Sequence, residues 1–345
     1  MLAAMEKEIQ LRHGELPQGP LNSIYFGGGT PSLLSPKEID RLLHATRQYF
    51  TWSPQIEISL EMNPDDNQPG YLSALKKSGI NRLSIGVQSF FDEELTTMHR
   101  AHSAQEAYLL LDEVKKTFAN YSLDLIYGMP QSDLQRWQSN IDIALSFSPP
   151  HISSYALTVE PNTALAKFVN NGQVTLIDES LVAEQFALLV EQLEANGYDH
   201  YEISNFGKPQ FYSVNNTAYW QGKPYLGIGP SAHSYTHPVR SWNVANNQKY
   251  MKLLQGDTLP LEREKLSQVD QYNEYIMTGL RTQWGVDSRE IEKRFGPKFV
   301  DLFERQLEEH LKRRNLFWDG NAVKVSRQAR FLVDGIASDL FLLHL

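Results

Sequence analysis

The sequence predicts an α/β fold in which parallel strands alternate with crossover helices. Short apolar runs alternate with helical patterns over the first two-fifths of the chain, and each apolar run ends in polar or glycine-rich residues. A third observation is the helix–helix–hairpin pattern near the C-terminus, which predicts a separate small module. Strand–helix alternation is typical of a doubly wound sheet or a (β/α) barrel, and the pattern alone leaves both open.

The predicted elements of the first part follow from apolar periodicity. The strand candidates are Ser23–Phe26, Gln55–Leu60, Arg82–Gly86, Ser122–Ile126 and His151–Tyr155. Segments with apolar residues at i, i+3 and i+4 separate them, and these are Ser35–Phe50, Pro69–Ser78, Ser103–Thr117 and Asp133–Leu145. Ser35 before Pro36 and Glu38 is a well-marked helix start.

The alternation begins on a helix, predicted within Met1–Gln18, with no strand before it. Two readings remain open: the fold starts with a helix, or an upstream strand is missing. A missing strand would leave one position of the sheet empty.

The rest of the chain changes character twice. Pro161–Asn196 has a helical pattern, and Tyr198–Trp242 is aromatic-rich with short extended pieces such as Tyr225–Ile228. Two further helices are predicted before a hairpin with Asp319-Gly320 at its turn, which indicates a winged-helix-like module. We therefore predict three parts: 1–160, 161–258 and 259–345.

Composition excludes several classes of protein. Apolar residues make up 41% of the 345 residues, which suffices for a large core. The formal net charge of −9 argues against a nucleic-acid partner. No apolar run is long enough for a membrane span, so a cytoplasmic protein is expected. The sequence contains no cysteine, which excludes disulfides and thiolate metal sites in this chain.

The residues that follow the predicted strands suggest a ligand site, because the carboxyl ends of parallel strands share one edge of the sheet. Gly27, Gly28 and Gly29 leave the backbone bare after the first strand, without the Gly-Lys-Ser/Thr of a phosphate loop. Polar side chains follow the next strands: Glu61, Gln88, Arg100 and Asp124. Such a set suits a zwitterionic ligand with hydroxyl and amino groups.

Seven segments together make a family resemblance specific. They are Gly27–Pro31, Glu61–Pro64, Gly86–Phe90, Asp124–Pro130, Tyr155–Pro161, Tyr201–Phe206 and Tyr225–Tyr235. In this order and spacing the chain resembles the radical S-adenosylmethionine (SAM) proteins of the oxygen-independent coproporphyrinogen III oxidase family. It is most similar to the haem-chaperone branch, over essentially the whole chain.

The resemblance implies a partial (βα)6 TIM-like radical-SAM barrel and a small α+β winged-helix-like C-terminal module. It also implies that SAM binds inside the barrel. Gly28, Gly29 and Thr30 would contact its methionyl part, Glu61, Gln88, Arg100 and Asp124 its polar groups, and Ala156 would line the cavity. The branch is further implied to bind haem and to pass it to haemoproteins.

Two departures from the family pattern limit this expectation. The family holds a 4Fe–4S cluster with a CxxxCxxC motif after its first strand, and this sequence has neither that strand nor any cysteine. The sequence leaves open a start assigned too late, a shortened chain or a true loss. We expect no radical chemistry from the chain as given, and its status as an enzyme stays open.

The second departure concerns the haem-chaperone motif His-Asn-x-x-Tyr-Trp. Its first position is Asn215 here, whose amide is a poor iron ligand, and Asn216, Tyr219 and Trp220 follow. His233 is a candidate haem ligand, although a hydrogen-bonded core histidine is the stronger expectation for it. His99 and His102 are expected in a solvated loop, and no metal site is predicted.

Three functions are carried forward. The first is a haem-chaperone-like member that lacks its own cluster site. The second is a coproporphyrinogen III oxidase whose sequence begins too late, which would convert propionates to vinyl groups. The third is a non-catalytic protein that keeps a haem or nucleotide pocket.

Overall fold

The computed structural model describes residues 1–161 and 163–343, and the elements below lie within them. The helices are α1 (Leu2–Arg12), α2 (Pro36–Tyr49), α3 (Tyr71–Ser78), α4 (Asp92–Thr97), α5 (Ala104–Thr117), α6 (Leu134–Ser146), α7 (Ala164–Asn170), α8 (Glu179–Ala195), α9 (Val214–Trp220), α10 (Asn247–Gln255), α11 (Gln268–Leu280), α12 (Ser288–Phe295), α13 (Pro297–Lys312) and α14 (Val333–Asp339). The strands are β1 (Leu21–Phe26), β2 (Trp52–Met62), β3 (Arg82–Gln88), β4 (Tyr121–Tyr127), β5 (His151–Ala156), β6 (Asp199–Glu202), β7 (Asn205–Gly207), β8 (His233–Thr236), β9 (Val239–Asn243), β10 (Leu261–Lys265), β11 (Val286–Asp287), β12 (Leu316–Asp319) and β13 (Ala322–Val325).

The chain forms two compact units, each discontinuous in sequence. One comprises Ser23–Lys37 and Glu57–Ser213, and the other comprises Met1–Asn22, Glu38–Ile56 and Val214–Leu345. The three-part division at 160 and 258 stays a prediction.

The first unit carries the predicted α/β sheet. Its described strands have the order β1-β2-β3-β4-β5-β7-β6, and β2 to β5 run parallel. The sheet is open and curls into a half-barrel, which confirms the partial barrel that the family resemblance implied and decides against a doubly wound sheet. A hairpin of β6 and β7 closes the far edge, with β7 antiparallel to both neighbours.

The central strands alternate apolar and polar residues, which is unusual for parallel strands because they are ordinarily covered on both faces. The apolar face includes Leu60, Ile85, Leu123 and Ile152, which are fully buried. Successive side chains point to opposite faces, so the polar residues share the other one. They are Ser59 and Glu61 on β2, Ser84 on β3, Ser122 and Asp124 on β4, and His151 and Ser153 on β5. The sheet therefore presents a polar face that leads to its carboxyl edge.

The second unit contains two small antiparallel sheets, with orders β10-β9-β8 and β11-β13-β12. The latter, with α11, α12 and α13, forms the predicted winged-helix-like module. Its hairpin pairs Asp319 with Ala322 across Gly320, whose φ of 63° is the left-handed conformation that the turn needs.

Several predicted elements need correction. The helical region of 161–196 is two helices, α7 and α8, and Tyr225 forms only an isolated bridge with Tyr235. Within the described residues, no helix combines the length and apolar character that crossing a bilayer requires.

Candidate functional site

Glu61 is held at the end of β2 by two neighbours from the first strand and its loop. The hydroxyl of Tyr25 donates to Glu61 Oε1 at 2.8 Å, and the backbone N–H of Gly28 donates to Oε2 at 3.0 Å. Each carboxylate oxygen keeps a second lone pair, so Glu61 can still accept a hydrogen bond from a ligand. Gly28 and Gly29 are exposed and left-handed, with φ of 79° and 68°.

Asp124 lies within β4, on the polar face of the sheet that it shares with Glu61. Ser84 Oγ lies 3.1 and 3.2 Å from its two oxygens, and Ser122 Oγ lies 3.3 Å from Oδ1. Burial raises the pKa of Asp124 to about 6, and the nearby Glu61 carboxylate adds to the rise, while hydrogen bonds from Ser153, Ser84 and Ser122 oppose it. Asp124 is thus an acid that ionises near neutral pH.

Tyr25 and Tyr155 face these two carboxylates. Burial, then Glu61, then Asp124 raise the pKa of Tyr25, and burial followed by Asp124 raises that of Tyr155. Both phenols therefore remain neutral hydrogen-bond donors at ordinary pH. The edge combines two carboxylates with neutral donors, which favours a ligand that carries positive charge and hydroxyl groups.

Asn63, Gln88 and Arg100 gather above Gly86 of β3. A methyl group added to Gly86 would lie 2.9 Å from Gln88 Nε2, 3.1 Å from Arg100 Nη2 and 3.5 Å from Asn63 Oδ1. Arg100 donates to Asn63 Oδ1 at 2.6 Å and to the Gly86 carbonyl at 3.3 Å. Gln88 has a φ of 67°, an uncommon backbone for a residue with a side chain. Only glycine at position 86 leaves room for this group.

Two further predicted residues, Ala156 and Thr30, lie at the end of β5 and after the end of β1. Ala156 ends β5 opposite Tyr127, and Thr30 precedes a short helical turn at Pro31–Leu33 without capping it. The structure thus brings Gly28, Glu61 and Asp124 into one polar group and Gln88 with Arg100 into another. Their role in binding a ligand stays a prediction.

Sequence reasoning missed Tyr25, Ser84, Ser122, Ser153 and Tyr155. The signal was the period of two: Ser84, Gly86 and Gln88 alternate with apolar residues in β3, and Ser122 and Asp124 do so in β4, although both strands are central in the sheet. Central parallel strands seldom carry such residues unless they line a site.

Two histidines lie elsewhere than expected. His102 is buried, and its Nε2 donates to the Val87 carbonyl at 3.1 Å, so the expectation of a solvated loop is wrong for it. His99 is exposed. His233 begins β8 and is also exposed, with its ring 6.2 Å from that of Trp242, so the expectation of a core histidine is wrong.

The predicted haem residues of α9 belong to the second unit. Tyr219 is 44% exposed and meets Tyr225 edge to face with ring centroids 4.5 Å apart. The guanidinium of Arg281 lies 5.2 Å from the ring centroid of Trp220. Asn216 is on the same helix. Among the described residues, no group of three histidine, aspartate or glutamate side chains is arranged to bind a metal ion.

Comparison with known proteins identifies the superfamily. Residues 5–142 match the radical SAM superfamily, and residues 266–332 match the HemN C-terminal domain. The coproporphyrinogen III oxidase HemN from Escherichia coli, a radical SAM enzyme, has the same fold. The TM-score is 0.84 at 22% identity, over 99% of this chain and 83% of that one.

The superfamily implies SAM and a 4Fe–4S cluster, and this chain fits the two groups differently. The clusters are held by cysteine thiolates, and the 345-residue sequence contains none, so its residues do not fit a cluster. The strand-end carboxylates and bare glycine backbone do fit SAM, a ligand with a sulfonium cation, an amino group and ribose hydroxyls.

Curated relatives match over nearly the full length. The heme chaperone HemW of Mycobacterium tuberculosis (strain ATCC 25618 / H37Rv) is 32% identical over 98% of this chain and 85% of its own length. The heme chaperone HemW of Bacillus subtilis (strain 168) is 31% identical over 96% of this chain and 88% of its own. The chain belongs to the HemW family of radical SAM proteins.

Proposed function

We propose that this chain binds haem and passes it to haem-dependent acceptor proteins, and that its strand-end site binds SAM. The observation that carries the proposal is the 32% identity to a heme chaperone over 98% of the chain. The polar sheet edge and the exposed aromatic helix are the features of this chain that support the two binding sites.

The proposed haem surface is α9 with its neighbours. Tyr219 is exposed, and Trp220 lies beneath Arg281. A flat apolar ring can stack on such aromatic side chains, and a cation beside it can pair with a propionate. Asn216, on the same helix, would add a polar contact.

Axial ligation is the weak part of this surface. Asn215 begins the motif at the start of α9, and an amide is a poorer iron ligand than an imidazole. His233 is exposed and is the histidine that the sequence analysis gave as a candidate haem ligand. We therefore expect moderate haem affinity that rests mainly on ring packing.

The proposed SAM site uses the carboxyl edge of the sheet. Glu61 and Asp124 would accept hydrogen bonds from hydroxyl and amino groups and attract the sulfonium. Gly28, Gly29 and Thr30 would let the methionyl part approach the backbone, with Gln88, Arg100 and Ala156 around it. A bound 4Fe–4S cluster supplies the electron for radical chemistry in the superfamily, and without thiolates in this chain the proposal stops at binding. The same point removes support from the oxidase alternative.

A haem titration followed by absorbance tests the proposal. We expect saturable binding by the wild type, weaker binding by Tyr219→Ala with Trp220→Ala, and a tighter complex with a shifted Soret band for Asn215→His. His233→Ala changes the spectrum if His233 ligates iron, and His44→Ala, another exposed histidine, is its control. Absence of saturable binding in both the wild type and Asn215→His contradicts the haem proposal.

A further inference from the structure

A buried chain of hydrogen bonds runs from the Asp124 carboxylate into the core of the same unit. Ser122 Oγ lies 3.3 Å from Asp124 Oδ1 and 2.7 Å from His151 Nδ1. His151 Nε2 in turn lies 2.8 Å from the hydroxyl of Tyr201. His151 and Tyr201 are completely buried and Ser122 nearly so, so water does not compete for these bonds.

The hydrogen bonds of this series all have to point the same way, because each hydroxyl group has only one proton to donate. Burial, followed by the charge of Arg82, holds the pKa of His151 well below its usual range, so the ring is neutral and carries one N–H. If that N–H is on Nδ1, it donates to Ser122, and the Ser122 hydroxyl is then released to donate toward Asp124. If the N–H is on Nε2, the Ser122 hydroxyl must donate to His151 Nδ1 and can no longer donate to Asp124.

Tyr201 favours the first arrangement. The Tyr201 oxygen accepts from the backbone N–H of Ser213 at 3.3 Å. A phenol is a stronger donor to an imidazole nitrogen than an acceptor from one, so we take the Tyr201 O–H to donate to His151 Nε2. Nε2 then accepts, and the ring proton is placed on Nδ1. Ser153 Oγ lies 3.0 Å from Ser122 Oγ and also hydrogen-bonds to Asp124. The Ser122 hydroxyl can therefore donate a hydrogen bond to the carboxylate directly or to Ser153, which itself donates to the carboxylate.

We propose that His151, oriented by Tyr201, is a positioning residue that directs the Ser122 hydroxyl onto Asp124 and so keeps this carboxylate ionised for a cationic ligand. The part about the ligand rests on the proposed SAM site, whereas the hydrogen-bond direction does not. His151 touches no ligand in this account and acts only through Ser122.

The other groups around Asp124 have to be separated from this effect. Glu61 faces it from β2, Tyr25 from β1 and Tyr155 from β5, while Arg82 lies behind His151. The two phenols stay neutral, since burial raises the pKa of both. Glu61 is a second carboxylate whose charge also raises the pKa of Asp124, so each variant below is compared with the same variant carrying Asp124→Asn.

The test removes single hydroxyl groups. Tyr201→Phe keeps the ring that stacks on Tyr212 at 4.4 Å but deletes the donor to His151. Ser122→Ala deletes the donor to Asp124 itself. Tyr198→Phe is the matched control, because it removes another buried hydroxyl of this unit, bonded to the Pro149 carbonyl at 2.5 Å.

The first readout needs no ligand. The melting temperature of each variant and of its Asp124→Asn partner is measured across pH, and the difference reports the Asp124 titration. Loss of one hydrogen bond to a carboxylate raises the pKa of that carboxylate by about one unit. We expect that rise for Tyr201→Phe and Ser122→Ala and none for Tyr198→Phe. If Ser122→Ala shifts the titration but Tyr201→Phe behaves like Tyr198→Phe, or if neither shifts it, the inference is wrong.

The second readout is calorimetric SAM binding across the same pH range. Affinity should fall as pH drops through about 6 in the wild type, and the midpoint should move up in Tyr201→Phe. No SAM binding by the wild type at any pH would overturn the SAM part of the proposed function, and the stability titration would still decide the role of His151. Binding whose midpoint is the same in Tyr201→Phe and Tyr198→Phe would overturn the inference alone.

Discussion

Asp124 is a carboxylate that the fold holds in an unfavourable state near neutral pH. Its pKa of about 6 in the folded chain lies above the ordinary aspartate value of 3.8. A group whose folded pKa is raised stabilises the fold below its unfolded pKa, and that contribution is lost as pH rises through the folded value. Above about pH 6 the ionised Asp124 therefore costs stability, which is common at sites that bind ligands.

Asp124→Asn should stabilise the ligand-free protein above pH 6. The rise in the pKa from 3.8 to about 6 corresponds to a gain in the free energy of unfolding of at most about 2–3 kcal/mol, because the side chain keeps some exposure. The gain should shrink as pH falls from 6 to 4 and vanish below that. Thermal unfolding at a series of pH values measures it. A gain that is equal at pH 4 and pH 8 would mean that Asp124 is not the titrating group.

At the scale of elements, α1 is fixed by a buried ion pair. Glu8 and Arg12 are joined at 2.8 Å and both are almost completely buried. Glu8 also accepts from the Gly229 N–H, from Asn243 Nδ2 and from the Tyr250 hydroxyl at 2.6–2.9 Å. A buried charge without its partner is costly, so this pair ties α1 to the β8–β10 region of the same unit.

Arg12→Met should lower the free energy of unfolding by about 3–5 kcal/mol, because it leaves Glu8 buried without its cation. Lys7→Met on the same helix is the matched control. Lys7 pairs with Asp257 at 2.6 Å on the surface, and such pairs contribute about 0–1 kcal/mol. Urea unfolding of both variants gives the comparison. Equal losses would show that burial does not determine the effect.

Two glycines of the C-terminal module have left-handed backbones but different surroundings. A methyl group at Gly285 would lie 2.3 Å from the Val323 carbonyl oxygen, whereas at Gly320 nothing lies within 4 Å. Gly320→Ala should therefore cost only the backbone strain, about 1 kcal/mol. Gly285→Ala should cost more than about 3 kcal/mol because the β11–β13 pairing has to move. Denaturant unfolding measures both, and a similar cost for the two would contradict the steric argument.

The long strands and helices could be predicted because their own patterns decide them. Ala104–Thr117, for example, has Ser103 and Glu106 in a capping box and an apolar stripe. The seven-residue α9 could not be predicted, since it has no buried residue to mark a face. The expectations for two histidines were wrong for a similar reason: His102 is buried and His233 is exposed. Burial of a single side chain depends on tertiary neighbours that periodicity does not show.

The site was predictable in part for the same physical reason. Glu61 and Gln88 stand at strand ends, which sequence locates well, whereas Asp124 lies within β4 on the polar face of the sheet. Ser122, His151 and Tyr201 meet only through the pairing of β4 with β5 and the packing of the β6–β7 hairpin. Such contacts between distant parts of the chain have no local signal.

At the scale of the whole molecule, this chain has a radical SAM fold and a HemW-like sequence over nearly all its length but no cysteine. Those facts place the proposed haem binding and the assembly of a 4Fe–4S cluster on different residues, so the two can be tested separately. The proposed binding of haem would depend on the aromatic side chains of α9 and on a ligating side chain such as His233. Assembly of a 4Fe–4S cluster depends on thiolates, which this chain lacks.

One absorption experiment tests this separation most directly. The purified chain is reconstituted anaerobically with iron and sulfide, desalted, and then titrated with haem while the visible spectrum is recorded. We predict no broad cluster band after desalting, followed by a Soret band that saturates at one haem per chain. A stoichiometric cluster band before haem is added, or a Soret signal that never saturates, would contradict the account.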